Sequence, residues 1–425
     1  MRKNHKRRLQ NSTQNVVILC LIVSAFCLLL RTDLIHPEAL DGIFSAVSSP
    51  NTSAQSGTLN TSQPIRIAVR SGGACSGWLN ETTDGNIFEN FAPLLTEALG
   101  SAENMEVVDA VEFRRALEND GIYYDFTVAL PLSVLSQWLS SSDIDSRFST
   151  RALLLSGLQD TTAALYAWDP ETDTYYRWST TVLTDTLLNN SAKYEGSPME
   201  FSFLQDAPYN TLAPYTLLPQ DRVSLYELSA KTVASEDADT ILTALEFNVH
   251  SNTRYPESNG TEVVVQGLRT LRFVPDGTVL YNGGNDGVSL LSVEHRGDNA
   301  SLHEHIDAAW RTANALLHEQ IGAASLYLKY AAADHNGNAE LRFGYMVNGY
   351  PVMFQDDYAA KFQIENNTIT AFTLHLRNYT VSEKSCTLLP TLQAAAAARD
   401  DTARELFCGY FDDGSDALSP CWLRR

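Results

Sequence analysis

Few residues in this chain stand at spacings that do chemistry. His318-Glu319 comes nearest to a zinc-protease helix, but Gly322 occupies the position where a second histidine would be needed. Without two imidazoles one turn apart, zinc lacks half its protein ligands. His303 and His305 are two apart and point to different sides of a predicted helix. Asp334-His335-Asn336-Gly337-Asn338 has the composition of a calcium loop, yet its glycine is fourth where an EF-hand loop puts it sixth. A hairpin turn fits it better. The stretch Asn282 to Gly287 is Gly-rich without GxGxxG order and reads as a loop. Asp356-Asp357 and Asp412-Asp413 lie beside predicted turns, where acids are ordinarily solvated. No GxSxG, phosphate-cradling GxxxxGK or CxxC pattern occurs. The expectation is a protein with no catalytic residue, no cofactor and no bound metal.

Four cysteines lie beyond the N-terminal apolar run: Cys75, Cys386, Cys408 and Cys421. Four allow three pairings, and an oxidising exterior permits disulfides. Cys408 and Cys421 flank the last predicted hairpin and would face each other if its turn centres near Gly414-Ser415. A Cys408–Cys421 disulfide is the expectation, with Cys75–Cys386 as the remainder and free buried thiols as the alternative.

The N-terminus shows where the chain sits. MRKNHKRR carries five Lys or Arg and no acid. Residues 16–30, VVILCLIVSAFCLLL, hold no charge. The anchor-forming side chains are Val16, Val17, Ile18, Leu19, Leu21, Ile22, Val23, Phe26, Leu28, Leu29 and Leu30. As a helix the run spans roughly 22 Å, less than a bilayer core of about 30 Å, so flanking residues must help. A cleaved signal peptide needs small residues after the run. RTDLIHPEALDGIF offers no convincing site, which favours an uncleaved anchor at 16–31. The basic tail, 1–15, belongs in the cytoplasm by the positive-inside rule. Residues 32–63 are rich in Ser, Thr, Asn and Pro and read as a stalk. Residues 32–425 hold 24 of the 30 basic residues against all 51 acids, a balance of −27. Such a body is repelled by phosphate backbones, which excludes nucleic acid as a partner.

Order begins at IRIAVR, an alternating strand. Asn86 to Leu99 predicts a helix stopped by Gly100, and Asp109 caps a second. Gly121 opens a strand, Pro131 a short helix, and DPETD turns a hairpin. Residues 183–230 carry no clear period. The first unit, 64–233, is therefore α+β or α/β. From Asp237 the pattern reads α-β-β, α-β-β-β, α-β-β, with Ser301 capping a long helix ended by Gly322. That predicts an α+β domain with antiparallel sheet at 234–425. Eight Asn-x-Ser/Thr patterns beyond the anchor keep a glycosylated type II protein as an alternative.

The stretches Glu97–Leu139, Leu245–Tyr281, Phe343–Phe354 and the closing Cys408–Trp422, together with the basic tail and single anchor, resemble the YycH/YycI family of extracytoplasmic regulators. The resemblance covers about three quarters of the chain. It implies tandem PepSY-like α+β units in the C-terminal half. It also implies a protein of the cell membrane, single-pass, that modulates a sensor histidine kinase by contact. A second anchored regulator of the same family is an implied partner. The competing readings are an envelope hydrolase without short motifs and a ligand-binding or inhibitory module.

Overall fold

A computed structural model describes residues 64–425, apart from 80–86, 141–147, 158–160, 194–195, 234–237, 249, 251, 284–288, 295–299, 335 and 399–403. The expected tail, anchor and stalk, with every anchor residue from Val16 to Leu30, lie outside the described residues. Among the described residues no helix is long and apolar enough to cross a membrane. All of them belong to one compact unit.

Nine strands form the first sheet. They are β1 (Arg66–Ser71), β2 (Ala74–Leu79), β3 (Glu103–Val108), β4 (Gly121–Pro131), β5 (Ser149–Ser156), β6 (Thr162–Asp169), β7 (Thr174–Leu183), β8 (Ser197–Phe201) and β9 (Leu217–Pro219). Their spatial order is β3-β7-β6-β5-β4-β1-β2-β8-β9. Between them run α1 (Ile87–Gly100), α2 (Ala110–Glu118), α3 (Leu132–Ser140) and α4 (Thr184–Ser191). Successive strand side chains leave on opposite faces, and here both faces are covered. Ile67, Val69, Ile122, Tyr124, Leu153 and Leu155 share one core cluster with Phe91 and Leu95 of α1 and Leu135 of α3. Ala68, Tyr123 and Leu154 pack on the other side with Phe113 and Leu117 of α2. The Phe113 ring there lies 5.0 Å from Tyr175 and 5.2 Å from Tyr215. Two buried faces explain the unbroken apolar run Ala152 to Leu155 in β5.

Every pairing in this sheet is antiparallel. The α/β reading of the first unit is thereby corrected to α+β. Short turns such as Asp169 to Thr174 force the chain back beside itself, whereas parallel neighbours need long crossovers.

The rest of the chain is built around a second sheet. After β10 (Ser224–Thr232) and α5 (Ala238–Ala244) come β11 (Thr253–Pro256), β12 (Glu262–Gln266), β13 (Arg269–Phe273) and β14 (Thr278–Asn282). Helix α6 (Leu302–Leu317) leads into β15 (Ala324–Ala333), β16 (Ala339–Val347), β17 (Tyr350–Phe354), β18 (Ala360–Glu365), β19 (Thr368–His375) and β20 (Arg377–Thr387). Helix α7 (Thr391–Ala397) precedes β21 (Leu406–Asp412), β22 (Ala417–Leu418) and β23 (Pro420–Arg424). Eleven of these strands share one sheet, ordered β11-β12-β13-β14-β19-β18-β16-β17-β21-β23, with β15 on the other side of β16. Strand β17 pairs β21 in parallel. The segment β10 lies before the expected boundary at 233, yet it pairs with β20 and β22 from beyond it.

Local signals explain these elements. Asp109 caps α2 by accepting the Glu112 N–H at 2.8 Å. Ser301 and Glu304 form a capping box on α6, satisfying donors that a helix start leaves unpaired. That helix stops at Leu317, four residues short of Ile321, because the chain turns before Gly322 at φ +64. Its buried stripe of Ile306, Trp310, Ala313 and Leu317 packs on the second sheet, with the Trp310 ring 5.8 Å from Phe343. Burying each of its large side chains contributes on the order of 2 kcal/mol. Asn348-Gly349 and Asn366-Asn367 each have two positive φ angles, the backbone of tight hairpin turns.

Candidate functional site

Five charged residues meet where the two sheets adjoin. The first sheet supplies Arg66 on β1, Asp125 directly opposite it on β4, and Arg151 on β5. The second supplies Glu405, just before β21, and Arg425, just after β23. These two are joined by reciprocal backbone hydrogen bonds of 3.0 Å. Asp125 accepts from Arg66 Nε at 3.0 Å and from Arg151 Nε and Nη2 at 3.1 and 3.0 Å. Glu405 accepts from Arg151 Nη2 at 2.9 Å and Arg425 Nη2 at 2.9 Å, and also pairs with Arg66. The Asp125 and Glu405 side chains are only 2% and 6% exposed, while that of Arg425 is 36% exposed. The cluster therefore couples the sheets through two carboxylates that water barely reaches.

Burial alone would raise the Asp125 carboxyl, but Arg151 and Arg66 outweigh it and hold it down at about 2. Glu405 is likewise held well below the usual carboxylate value, burial being outweighed by Arg66, Arg151 and Arg425. A carboxylate with a depressed folded pKa contributes stability above its unfolded pKa and loses it as pH falls through the folded value. We expect a drop in stability between about pH 4 and pH 2, on the order of 2 kcal/mol from Asp125 alone. Urea midpoints at pH 5 and pH 3 check it. Equal midpoints would show that the cluster carries no such load.

Beside the cluster opens a cavity of about 460 Å³. Its apolar wall comes from both sheets, through Met199, Leu217, Tyr327, Met353, Phe407 and Trp422. Arg66, Lys329, Glu405 and Arg425 bring charge to it. Two close approaches shape the wall. A Cβ on Gly77 would fall 2.0 Å from the Met199 sulfur, and one on Gly344 would fall 2.6 Å from the Tyr327 ring. Glycine at each position lets the side chain lie across the neighbouring strand.

The arrangement suits binding rather than proton transfer. Its two carboxylates are shifted, but downwards, the wrong direction for a general acid at neutral pH. Burial pushes the Cys408 thiol and the Tyr327 hydroxyl up to about 12, so neither is a ready nucleophile.

The residues singled out in the sequence fall elsewhere. His318 and Glu319 follow the end of α6, and His305 is buried while His303 meets the Ser301 hydroxyl. Asp334 closes the β15–β16 turn, accepting N–H groups of Asn336 and Asn338. Among the described residues no three His, Cys, Asp or Glu stand close enough to hold a metal ion. Asp412 departs from its solvated reading. It is buried and takes two hydrogen bonds from Arg377, at 2.9 and 3.0 Å, and one from the Tyr379 hydroxyl at 2.7 Å. The last hairpin pairs Cys408 with Trp422 and Cys421 with Gly409. This register differs by one residue from the expected one, so the two side chains leave the ladder on opposite faces, and both are free thiols. Between these strands β22 pairs with β10.

Fold and site define a class: an α+β protein with two large, mainly antiparallel sheets, joined by a buried ion cluster beside a ligand-sized cavity. The crystal structure of YycH from Bacillus subtilis is similar, with TM-score 0.55 over 88% of this chain and 95% of that one, at 11% identity. At that identity the likeness is one of fold, and the chain has a YycH-like fold, in agreement with the resemblance seen in its sequence. No protein-family model and no curated protein sequence matches the chain.

Proposed function

We propose that this chain is a membrane-anchored, extracytoplasmic regulator that modulates a sensor histidine kinase by protein contact. The observation that carries the reading is the likeness of fold to YycH across 88% of the chain. The sequence supports the placement, with a basic tail at 1–15, an anchor at 16–31 and a stalk at 32–63. In this reading the anchor packs against transmembrane helices of the kinase. The domains beyond the stalk meet a second anchored regulator of the same family. The depressed carboxylates beside the cavity favour contact over hydrolysis, since neither can deliver a proton near neutral pH.

The test compares kinase output, read as phosphorylated response regulator, in cells carrying three forms of the chain: intact, with residues 16–31 replaced by an unrelated membrane helix, and lacking residues 64–425. Both altered forms should change output relative to the intact chain. A silent helix replacement beside a strong deletion effect would exclude control through the anchor. No effect of either would exclude the kinase as target.

A further inference from the structure

His375 closes strand β19 with one ring nitrogen left over. Its ring lies 5.4 Å from the Phe354 ring of β17, tilted by only 17°, and 5.6 Å from Tyr358. The side chain is 14% exposed. Nδ1 meets the Thr278 hydroxyl of β14 at 3.2 Å. Nε2 is shielded from solvent and has no hydrogen-bond partner among the described residues. Asp356 Oδ2 stands 3.7 Å from it, beyond hydrogen-bond reach. A neutral imidazole has one N–H and one bare nitrogen. With the hydrogen on Nδ1, bare Nε2 faces a carboxylate. With the hydrogen on Nε2, that N–H has no acceptor within reach. Neither tautomer serves both nitrogens. The imidazolium has two N–H groups, and each faces an oxygen, of Thr278 on one side and of Asp356 on the other.

The charged groups around the ring come from several elements. Asp356 lies in the β17–β18 turn, Asp276 in the β13–β14 turn and Asp412 on β21. Arg377, two residues on, is engaged by Asp412, and Tyr345 of β16 donates its hydroxyl to the His375 carbonyl oxygen at 2.7 Å. Burial lowers the His375 pKa and prevails over Asp356, Asp276 and Asp412, which raise it. The ring is therefore neutral at pH 7 and takes its proton below the ordinary histidine value of about 6.5. Aspartates ordinarily keep their charge down to about pH 4, so acidification reaches a range in which both partners are ionised. The turn has room to respond. Gln355, Asp356 and Asp357 are all exposed, and the Asp356 side chain is 63% so.

From this geometry we propose that His375 and Asp356 form an acid-closed latch: on protonation, the Nε2–H of His375 binds the Asp356 carboxylate and draws the β17–β18 turn onto the end of β19. The next residue of that turn, Asp357, pairs with Lys329 of β15, which lines the cavity. Closing the latch therefore bears on the cavity wall. The proposal depends on these groups alone and stands apart from the kinase reading.

Hydrogen exchange read by mass spectrometry, on the full chain in a nonionic detergent, provides the test. Amide exchange, corrected for the intrinsic rate at each pH, reports the protection of residues 355–358. Exchange at the imidazole carbon between the two nitrogens reports the pKa of His375. In the wild type, protection of the turn should rise roughly threefold between about pH 7.5 and about pH 5, the modest gain expected of a partly exposed ion pair. Asp356→Asn should abolish that rise and lower the His375 pKa, because the carboxylate that favours the cation is gone. The position is exposed, and unchanged protection along β16 would show that the fold is intact. His375→Gln should abolish the rise as well. Turn protection that does not change with pH in the wild type would overturn the proposal. So would an equal rise in Asp356→Asn, or a His375 pKa that the substitution leaves in place.

Discussion

Replacing Asp125 with alanine will lower the stability of the fold by about 3–5 kcal/mol at neutral pH. The side chain is almost wholly enclosed and receives hydrogen bonds from two arginines. Its removal leaves Arg66 and Arg151 to share Glu405 with Arg425, three cations on one acid. An uncompensated buried charge costs far more than the pair contributes, because water is no longer there to solvate it. The shift of the urea midpoint of the full chain measures the effect. Arg425→Gln is the counterpart, removing the most exposed of the three arginines instead of an anion, and should stay within about 1 kcal/mol of wild type. A similar small loss for Asp125→Ala would mean that the cluster does not bind the two sheets together.

Asp412→Ala should cost a comparable 3–5 kcal/mol or so, through a different part of the fold. Asp412 holds Arg377 by two parallel N–H bonds, a geometry specific to guanidinium and carboxylate. It also accepts from the Tyr379 hydroxyl and from the Gly414 N–H at 2.9 Å. Arg377 in turn reaches Thr232 on β10, at 3.0 Å, and the Ser415 carbonyl, at 2.6 Å. One carboxylate therefore ties the connecting strand, β20 and the last hairpin together. Loss of hydrogen-exchange protection along β10 and β20 should accompany the fall in stability. The neighbouring Asp413 is exposed, and Asp413→Ala should shift the midpoint by no more than about 0.5 kcal/mol. Equal effects at the two positions would refute the assignment.

Much of the architecture was readable because its signals are local. The caps at Asp109 and Ser301, the helix stop at Gly100 and the turn at Asp334 all depend on residues within a few positions. Residues 183–230 resisted because their strands are short and interrupted by proline, as in Ser197–Phe201 and Leu217–Pro219. Strand β3, ENMEVV, escaped notice because it is an exposed sheet edge with no buried face to impose a period.

The charge cluster was hidden for another reason. Arg66 and Glu405 are 339 positions apart, and Arg151 and Glu405 are 254. No local spacing links them. One signal was present all the same. Arg66 and Asp125 interrupt apolar strand runs, and a charge in a strand buried on both faces needs a partner. Asp412 misled because its neighbour Asp413 and the following Gly-Ser look like an ordinary solvated turn, while Arg377 lies 35 residues away.

Photo-crosslinking tests most directly whether the proposed anchor at 16–31 meets a kinase within the bilayer. A photoreactive side chain placed at each position from Val17 to Leu29 in the full chain, in its native membrane, should capture a histidine kinase at every third or fourth position, the period of one helix face. Crosslinks to lipid alone at all positions, or a mature chain that begins beyond residue 31, would contradict it.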